Sequence, residues 1–224
     1  MSPAARLRAV VFDLDGLMFN TEELYDEVSD TLLRRRGQVY TPDLKFQLLG
    51  RPARVGWRMM IDAHGLDATV DQLQAEADEI FADILAVRLR PMPGLETLLQ
   101  ALEAVPLPKA IATSSGRRYV NTVLAQFAYE PRFQFVLTEE DVRQGKPAPE
   151  VYHAAASRFG LAPAELMVLE DSEHGCRAGV AAGAFTVAVP DGCSPRQGFS
   201  GAALVVDSLE DERIYQALGL SPPR

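Results

Sequence analysis

Short apolar runs alternate with segments of helical periodicity along most of this chain. The first run is Ala9–Phe12, and five more follow beyond residue 90: Lys109–Ala112, Phe135–Leu137, Leu166–Leu169, Phe185–Val189 and Ala203–Val206. Apolar residues at helical spacing separate these runs, and strands that are separated by helices indicate a parallel sheet with right-handed crossovers. The pattern therefore predicts an α/β domain, with Ala203–Val206 as a candidate edge strand.

The pattern changes between the first strand and residue 90, where only helical segments occur. Glycines divide this stretch into four helices, and Thr69 with Gln72 has the spacing of a capping box for the fourth. Four consecutive helices without a strand indicate a small bundle inserted into the α/β domain. We expect a core of residues 1–17 and 90–224, and a four-helix bundle of residues 18–89 that covers the carboxyl edge of the sheet as a hinged lid.

Composition and charge exclude several classes of protein. The 224 residues include 22 Lys and Arg against 31 Asp and Glu, and the net charge of −9 argues against a nucleic-acid partner. No apolar segment approaches the length that crosses a membrane. Cys176 and Cys193 have no metal-ligand spacing and need no disulfide, which is typical of the reducing cytoplasm. We expect a cytoplasmic monomer, with a weak dimer as the alternative.

Two acidic residues follow the first strand directly. Asp13 and Asp15 lie on the same side of the extended chain, Leu14 points away, and Gly16 allows a sharp turn. The carboxyl ends of strands are where open α/β sheets bind ligands. Two carboxylates this close repel each other unless a cation or a proton intervenes. The motif therefore predicts a metal site, a proton-transfer role, or both.

Other polar groups follow the later strands. Thr113, Ser114 and Ser115 come after the second strand, the pair Glu170 and Asp171 ends the fourth, and Lys146 lies in the loop after the third. Each group alone is explained by a turn or a helix cap. Together, at one edge of one sheet, they predict a phosphoryl-transfer site. Oxygen ligands without a nearby His or Cys favour Mg²⁺ over zinc.

The order and spacing of these groups resemble the haloacid dehalogenase superfamily, in the branch of β-phosphoglucomutase-like and sugar-phosphate phosphatase proteins with a helical cap. The resemblance covers essentially the whole chain and rests on four motifs: Asp13–Glu22, Thr113-Ser114, Gly145–Pro149, and Glu170-Asp171-Ser172 with Gly175, Ala178 and Gly183. It implies a Rossmann-like three-layer core, a parallel sheet and the inserted cap already predicted from the helical pattern.

The resemblance also implies roles for the motif residues. Asp13 would attack phosphorus and form an aspartyl-phosphate, Lys146 would offset negative charge, and Asp15 would act as general acid and then base. Thr113 and Ser114 would hold the phosphoryl oxygens. The ligands of Mg²⁺ would be the Asp13 carboxylate, the Asp15 backbone carbonyl and Asp171, supported by Glu170.

Two arginines of the predicted bundle are candidates for contact with an anionic substrate. Arg51 and Arg54 stand at the start of the third helix, where an anion can use both their charge and the helix N-terminus. Solvated surface arginines are an equally good interpretation. We expect Trp57 and Met60 to pack inside the bundle.

Several functions remain in competition. The leading prediction is a Mg²⁺-dependent phosphatase of a small phosphorylated metabolite, most simply a sugar phosphate. The alternative is a phosphomutase, but mutases of this group carry a His in the stretch where this chain has Tyr25. A dehalogenase needs neither Asp15 nor Asp171. A binding or regulatory protein without activity predicts loss of the nucleophile, lysine or metal ligands, and all are present.

Overall fold

The computed structural model describes residues 6–48, 53–190 and 198–221. Its strands are β1 (Ala9–Phe12), β2 (Lys109–Ala112), β3 (Val136–Leu137), β4 (Leu166–Glu170), β5 (Phe185–Ala188) and β6 (Leu204–Val205). Its helices are α1 (Thr21–Arg34), α2 (Pro42–Leu48), α3 (Ala53–His64), α4 (Val70–Arg88), α5 (Leu95–Glu103), α6 (Arg117–Phe127), α7 (Glu150–Phe159), α8 (Glu173–Ala182) and α9 (Glu212–Leu218).

The six strands form one sheet in the order β3-β2-β1-β4-β5-β6, and every neighbouring pair is parallel. The chain leaves β1 toward β2 and β3 on one side, and β4, β5 and β6 follow on the other. This α/β arrangement confirms the predicted Rossmann-like fold. β6 is an edge strand, as expected, and β4 runs one residue further than predicted, so that Glu170 belongs to the strand.

The sheet is buried because its strands are apolar on both faces. All four side chains of β1 are fully buried. Ala9 and Val11 pack with apolar residues of α7 and α8, among them Tyr152 and Ala178. On the alternate positions of β1, the Phe12 ring contacts Phe133 edge to face, with ring centroids 5.8 Å apart. A strand buried on both faces reads as a continuous apolar run, which is why these runs predict the strands well.

The chain forms two compact units, Met1–Asn20 with Pro91–Arg224, and Thr21–Arg90. Within the second unit α1 packs against α4, and Trp57 and Met60 are buried in its apolar core, as predicted. The capping box of α4 is also confirmed. The Thr69 hydroxyl accepts from the backbone N–H of Gln72, and the Gln72 side chain accepts from the backbone N–H of Thr69.

Two further sequence expectations concern the membrane and the thiols. In the part of the chain that the structure describes, no helix combines the length and the apolar composition of a membrane span. Cys176 is a free thiol, buried against Ala188 and Phe199. Cys193 lies outside the described residues.

Candidate active site

The candidate site lies where three neighbouring strands end. Asp13 follows β1, Thr113 follows β2, and β4 ends with Glu170, which precedes Asp171. Strand pairing continues beyond β1, since the backbone N–H of Asp13 donates to the carbonyl of Leu169 at 3.0 Å. The sheet therefore fixes these residues at its carboxyl edge, around the end of β1. The strand order changes direction at β1, and ligands of open α/β sheets bind at such a point.

Lys146 connects two of the carboxylates. Its Nζ donates to Asp13 Oδ1 at 2.5 Å, to Glu170 Oε1 at 2.6 Å and to the carbonyl oxygen of Ala112 at 2.9 Å. These bonds occupy all three hydrogens of the ammonium group. The Lys146 side chain is only 6% exposed, and its Nζ lies 5.4 Å from the centre of the Tyr152 ring. The lysine of the third motif thus forms a hydrogen bond with the aspartate of the first motif.

Ionisation of all the carboxylates would give the site more negative charge than this lysine balances. Burial raises the pKa of Asp13 to about 8; Lys146 opposes the shift, while Glu170 and Asp15 add to it. Burial lowers the pKa of Lys146, but the charges of Asp13 and Glu170 outweigh it and hold this pKa well above its usual value. The lysine is therefore charged, and the surrounding carboxylates favour a further positive charge.

Asp13, Glu170 and Asp171 form a buried group that fits a metal ion. One carboxylate oxygen of each lies within 4.8 Å of the others. Oxygen donors suit Mg²⁺, and a divalent cation would offset the unbalanced charge. Glu170 is already hydrogen-bonded by Lys146 and by the hydroxyls of Tyr152 and Ser172. It is therefore better suited to support an ion than to serve as its principal ligand.

The glycine of the fourth motif makes room for Glu170. A Cβ atom on Gly175, in the first turn of α8, would lie 1.9 Å from Glu170 Oε2 and 2.0 Å from both Oε1 and the carboxyl carbon. No real contact is that short, so any side chain at position 175 would displace the carboxylate. The helix is aligned here by Ser172, whose hydroxyl accepts from the backbone N–H of Gly175 at 3.1 Å.

The Asp15 carboxylate has different partners. Ser115 Oγ donates to Asp15 Oδ2 at 2.6 Å, and the Tyr119 hydroxyl donates to Oδ1 at 2.7 Å. Thr113 Oγ1 lies 3.4 Å from Oδ2. The Asp15 carboxylate is not a member of the buried group of three. The metal role expected of Asp15 concerns its backbone carbonyl, and that role stays a prediction.

Thr113 and Ser114 border a cavity together with Lys146. The cavity has a volume of about 350 Å³, and Gly145 also lines it. Thr113 is buried, and its Oγ1 accepts from the backbone N–H of Ser115 at 3.0 Å, whereas Ser114 is exposed. The volume is sufficient for a phosphoryl group beside the lysine.

The two arginines proposed for anion binding have different outcomes. Arg54 is in α3, 64% exposed, and its guanidinium forms an ion pair with Asp71 at 2.7 Å. Its charge is therefore at least partly offset within the helical unit. Arg51 lies outside the described residues. Substrate contact by either residue stays a prediction.

The helical unit contains a groove of its own. It has a volume of about 330 Å³, and Tyr25, Tyr40 and Trp57 are among the residues that line it. Tyr25 stacks on Phe81 with ring centroids 4.5 Å apart, and Trp57 Nε1 donates to Gln74 at 2.8 Å. Trp57 is thus buried in the bundle and also borders the groove.

Sequence reasoning missed two tyrosines of the site. Tyr152, on the buried face of α7, bonds Glu170, and Tyr119, in the first turn of α6, bonds Asp15. Both stand within ordinary amphipathic helices, where an aromatic residue is most simply a packing residue. Ser115 belonged to the recognised hydroxyl cluster but received no role. Only the tertiary structure places these hydroxyls on the carboxylates.

Several known proteins are similar to this chain in sequence. The sequence profile of the family described as haloacid dehalogenase-like hydrolase matches residues 10–189, a span that includes all four motifs. A Drosophila melanogaster protein, named provisionally as a pseudouridine-5′-phosphatase, is 34% identical over 92% of this chain and 91% of its own length. A Thermotoga maritima phosphorylated carbohydrates phosphatase is 29% identical over 79% of this chain and 82% of its own.

A solved structure has the same fold over nearly the whole chain. It comes from Thermotoga maritima and is described provisionally as a β-phosphoglucomutase. The TM-score is 0.82 at 26% sequence identity, and the alignment covers 95% of this chain and 97% of that one. The similarity therefore extends over both compact units.

Proposed function

This chain belongs to the haloacid dehalogenase-like hydrolase family and is a phosphoric monoester hydrolase, and from this premise we propose that it is a Mg²⁺-dependent phosphatase of small phosphorylated metabolites. One observation carries the proposal. The carboxylate of Asp13 lies in contact with the buried Lys146 and beside two further buried carboxylates, Glu170 and Asp171. A cationic lysine and a metal-binding acidic group at one carboxylate suit attack on a phosphoryl group.

In the proposed first step, Asp13 attacks phosphorus and forms an aspartyl-phosphate while the substrate alkoxide leaves. The attacking carboxylate and the phosphoryl group are both anionic, so their repulsion has to be reduced. Lys146 supplies one positive charge at 2.5 Å from Asp13. Thr113 and Ser114, which line the same cavity as Lys146, provide hydroxyl groups for the phosphoryl oxygens.

Mg²⁺ would supply the remaining charge neutralisation at the transferring phosphoryl group. Asp13, the backbone carbonyl of Asp15 and Asp171 would hold the ion. Glu170, already bonded to Lys146, would support these ligands from behind.

Asp15 is the proposed general acid and base. It would protonate the leaving alkoxide in the first step, and deprotonate the water that attacks the aspartyl-phosphate in the second. A positioned acid or base contributes about 10² to 10⁴-fold in rate.

We expect Asp15→Asn to lose at least about 10²-fold in kcat and to change the shape of the pH–rate profile, because the amide cannot exchange the proton. A profile equal to wild type in shape and height would contradict this role.

The proposed substrates are small phosphate esters, with sugar phosphates first. Two relatives support this choice. One is named as a phosphatase of phosphorylated carbohydrates, and the other is named provisionally as a pseudouridine-5′-phosphatase. Location in the cytoplasm and a monomeric state stay predictions.

The test is phosphate release from a panel of sugar phosphates and other phosphomonoesters, with Mg²⁺ and after its removal by a chelator. We expect release that requires Mg²⁺ and that is lost in Asp13→Asn. The matched control is Asp83→Asn, which changes an exposed aspartate of α4 in the helical unit. Release that persists in Asp13→Asn, or that is indifferent to Mg²⁺, would contradict the proposal.

A phosphomutase is the second candidate, because the solved structure with a TM-score of 0.82 is described provisionally as a β-phosphoglucomutase. Such an enzyme would transfer the phosphoryl group from Asp13 to a second substrate hydroxyl instead of to water. This chain carries Tyr25 in the stretch where mutases of the group carry a His. Isomer formation in the presence of a bisphosphate primer, without net phosphate release, would favour the mutase.

A further inference from the structure

Two hydroxyl groups hold Asp15 from different directions. Ser115 Oγ donates to one carboxylate oxygen at 2.6 Å, and the Tyr119 hydroxyl donates to the other at 2.7 Å. We propose that Ser115 and Tyr119, together called the Asp15 brace, are positioning residues that set the orientation of this carboxylate for proton transfer to the leaving group. The inference rests on the proposed function, and it assigns two side chains for which the motifs give no such role.

The brace acts on a torsion that is otherwise soft. The terminal torsion of an aspartate side chain is broad and roughly twofold, so an unsupported carboxylate adopts many orientations. Because the two donors bond different oxygens, rotation of the carboxylate about its Cβ–Cγ bond breaks both hydrogen bonds. The brace therefore selects one orientation of the group.

The two donors are themselves fixed by the core unit. Ser115 follows β2, and its backbone N–H donates to the buried Thr113 Oγ1 at 3.0 Å. Tyr119 lies in the first turn of α6, and the next residue, Val120, is fully buried. Both residues therefore belong to backbone segments that are held by the core unit, and a positioned catalytic group needs such support.

Orientation matters most when the leaving group needs a proton. A sugar alkoxide is a poor leaving group and depends on a correctly placed acid, whereas a nitrophenolate leaves as a stable anion. Loss of the brace should therefore slow alkyl phosphates more than aryl phosphates. A purely structural defect would slow both classes equally.

The first experiment compares Tyr119→Phe with wild type on the best sugar phosphate of the panel and on p-nitrophenyl phosphate. The quantity is kcat/KM, which reports steps up to transfer of the phosphoryl group to Asp13. We expect a loss of about tenfold on the sugar phosphate and of less than twofold on the aryl ester. An equal loss on both esters, or no loss on either, would overturn the inference.

Tyr129→Phe is the matched control. It removes a phenol that donates to a different carboxylate, Glu96, at 2.9 Å. We expect the thermal stability of Tyr129→Phe to fall about as much as that of Tyr119→Phe. The ratio of its kcat/KM values on the two esters should equal that of wild type. The wild-type rate on the aryl ester tests the proposed function, and the change in the ester ratio tests the brace.

A double-mutant cycle tests whether Tyr119 acts through Asp15. In an Asp15→Ala background, Tyr119→Phe should cause no further loss of kcat/KM on the sugar phosphate, and Ser115→Ala should behave in the same way. A further tenfold loss in that background would overturn the inference.

A crystal structure of Tyr119→Phe gives an independent readout. We expect the Asp15 carboxylate to rotate or to occupy several orientations. An unchanged single orientation would contradict the brace.

Discussion

At the scale of single residues, Lys146 is the buried cation that connects the site residues. Its three hydrogen bonds join the ends of β1, β2 and β4, through Asp13, Ala112 and Glu170. A buried ion pair contributes little net stability when both partners are present, but removal of one partner leaves the other charge uncompensated. The lysine should therefore matter to folding as well as to the proposed catalysis.

We predict that Lys146→Met lowers the free energy of unfolding by about 3 kcal/mol, and by less in an Asp13→Asn background, where one buried negative charge is already gone. Chemical denaturation of the four proteins measures this coupling. Lys45→Met is the control, because Lys45 forms a partly exposed ion pair with Asp26 that is worth at most about 1 kcal/mol. Equal losses in both backgrounds would contradict the electrostatic explanation.

Gly175 leads to a second prediction at this scale. Gly175→Ala places a Cβ atom on the Glu170 carboxylate, so we expect phosphatase activity to fall by at least about tenfold and stability to fall by 1 to 3 kcal/mol, about the cost of overpacking a core.

Gly56→Ala provides the control for this substitution. Gly56 is also inside a helix, but its added Cβ would meet only a Leu48 side-chain carbon at 3.5 Å, an ordinary contact. Alanine favours a helix over glycine, so Gly56→Ala should be neutral or stabilising in thermal unfolding. Similar behaviour of the two variants would show that Gly175 is not needed for space.

At the scale of elements, short loops and helix ends bring the site residues into place. The loop that carries Lys146 is anchored by Glu150, the first residue of α7, which accepts from the backbone N–H groups of Arg143 and Gln144 at 2.9 Å. These hydrogen bonds lower the pKa of Glu150. The same type of bond organises the helical unit, where a capping box begins α4.

The capping box gives a prediction for the helical unit. Thr69→Ala removes the hydroxyl that accepts from the backbone N–H of Gln72, and we expect a loss of about 1 kcal/mol in stability. Thr122→Ala is the matched control, since Thr122 is an exposed threonine inside α6 whose hydroxyl donates to the Arg118 carbonyl. That change should cost nothing or stabilise the helix. Equal costs in denaturation experiments would contradict the cap.

At the scale of the whole molecule, ionised carboxylates on the surface of the core unit stabilise the fold. Arg132 bonds Glu96 at 2.6 Å and Glu103 at 2.9 Å, and Lys109 pairs with Glu103 at 3.0 Å. Hydrogen bonds from Arg132, joined by Lys109, lower the pKa of Glu103 from its usual 4.5 to about 2. The network ties α5 to β2 and to the turn after α6.

This shift predicts an acid-sensitive contribution to stability. Because the pKa of Glu103 is lower in the folded than in the unfolded state, its contribution is complete above pH 4.5 and is lost as the pH falls from 4.5 toward 2. Glu103 is 39% exposed, so screening reduces the effect to about 1 kcal/mol.

Glu103→Gln should therefore be about 1 kcal/mol less stable than wild type at pH 7, with a difference that narrows below pH 4.5. Denaturation curves across this range measure the change. Glu79→Gln, an exposed position of α4, is the control and should follow wild type at every pH. A difference for Glu103→Gln that stays constant with pH would contradict the pKa argument.

The sequence by itself determined the strands, the order of the motifs and most of the residues that the structure brings together at the candidate site. Parallel strands buried on both faces must be apolar, and their carboxyl ends must meet at one edge, so Asp13, Thr113 and Glu170 could be placed from pattern alone.

Only the tertiary structure decided which side chains are in contact. Tyr119 and Tyr152 come from helices far along the chain, and helical periodicity tells which face is buried without telling which hydroxyl reaches a carboxylate. Gly175 was part of a motif, but the contact with Glu170 that requires it exists only when α8 packs against β4. Contacts of this kind depend on distances between elements, which local sequence pattern does not encode.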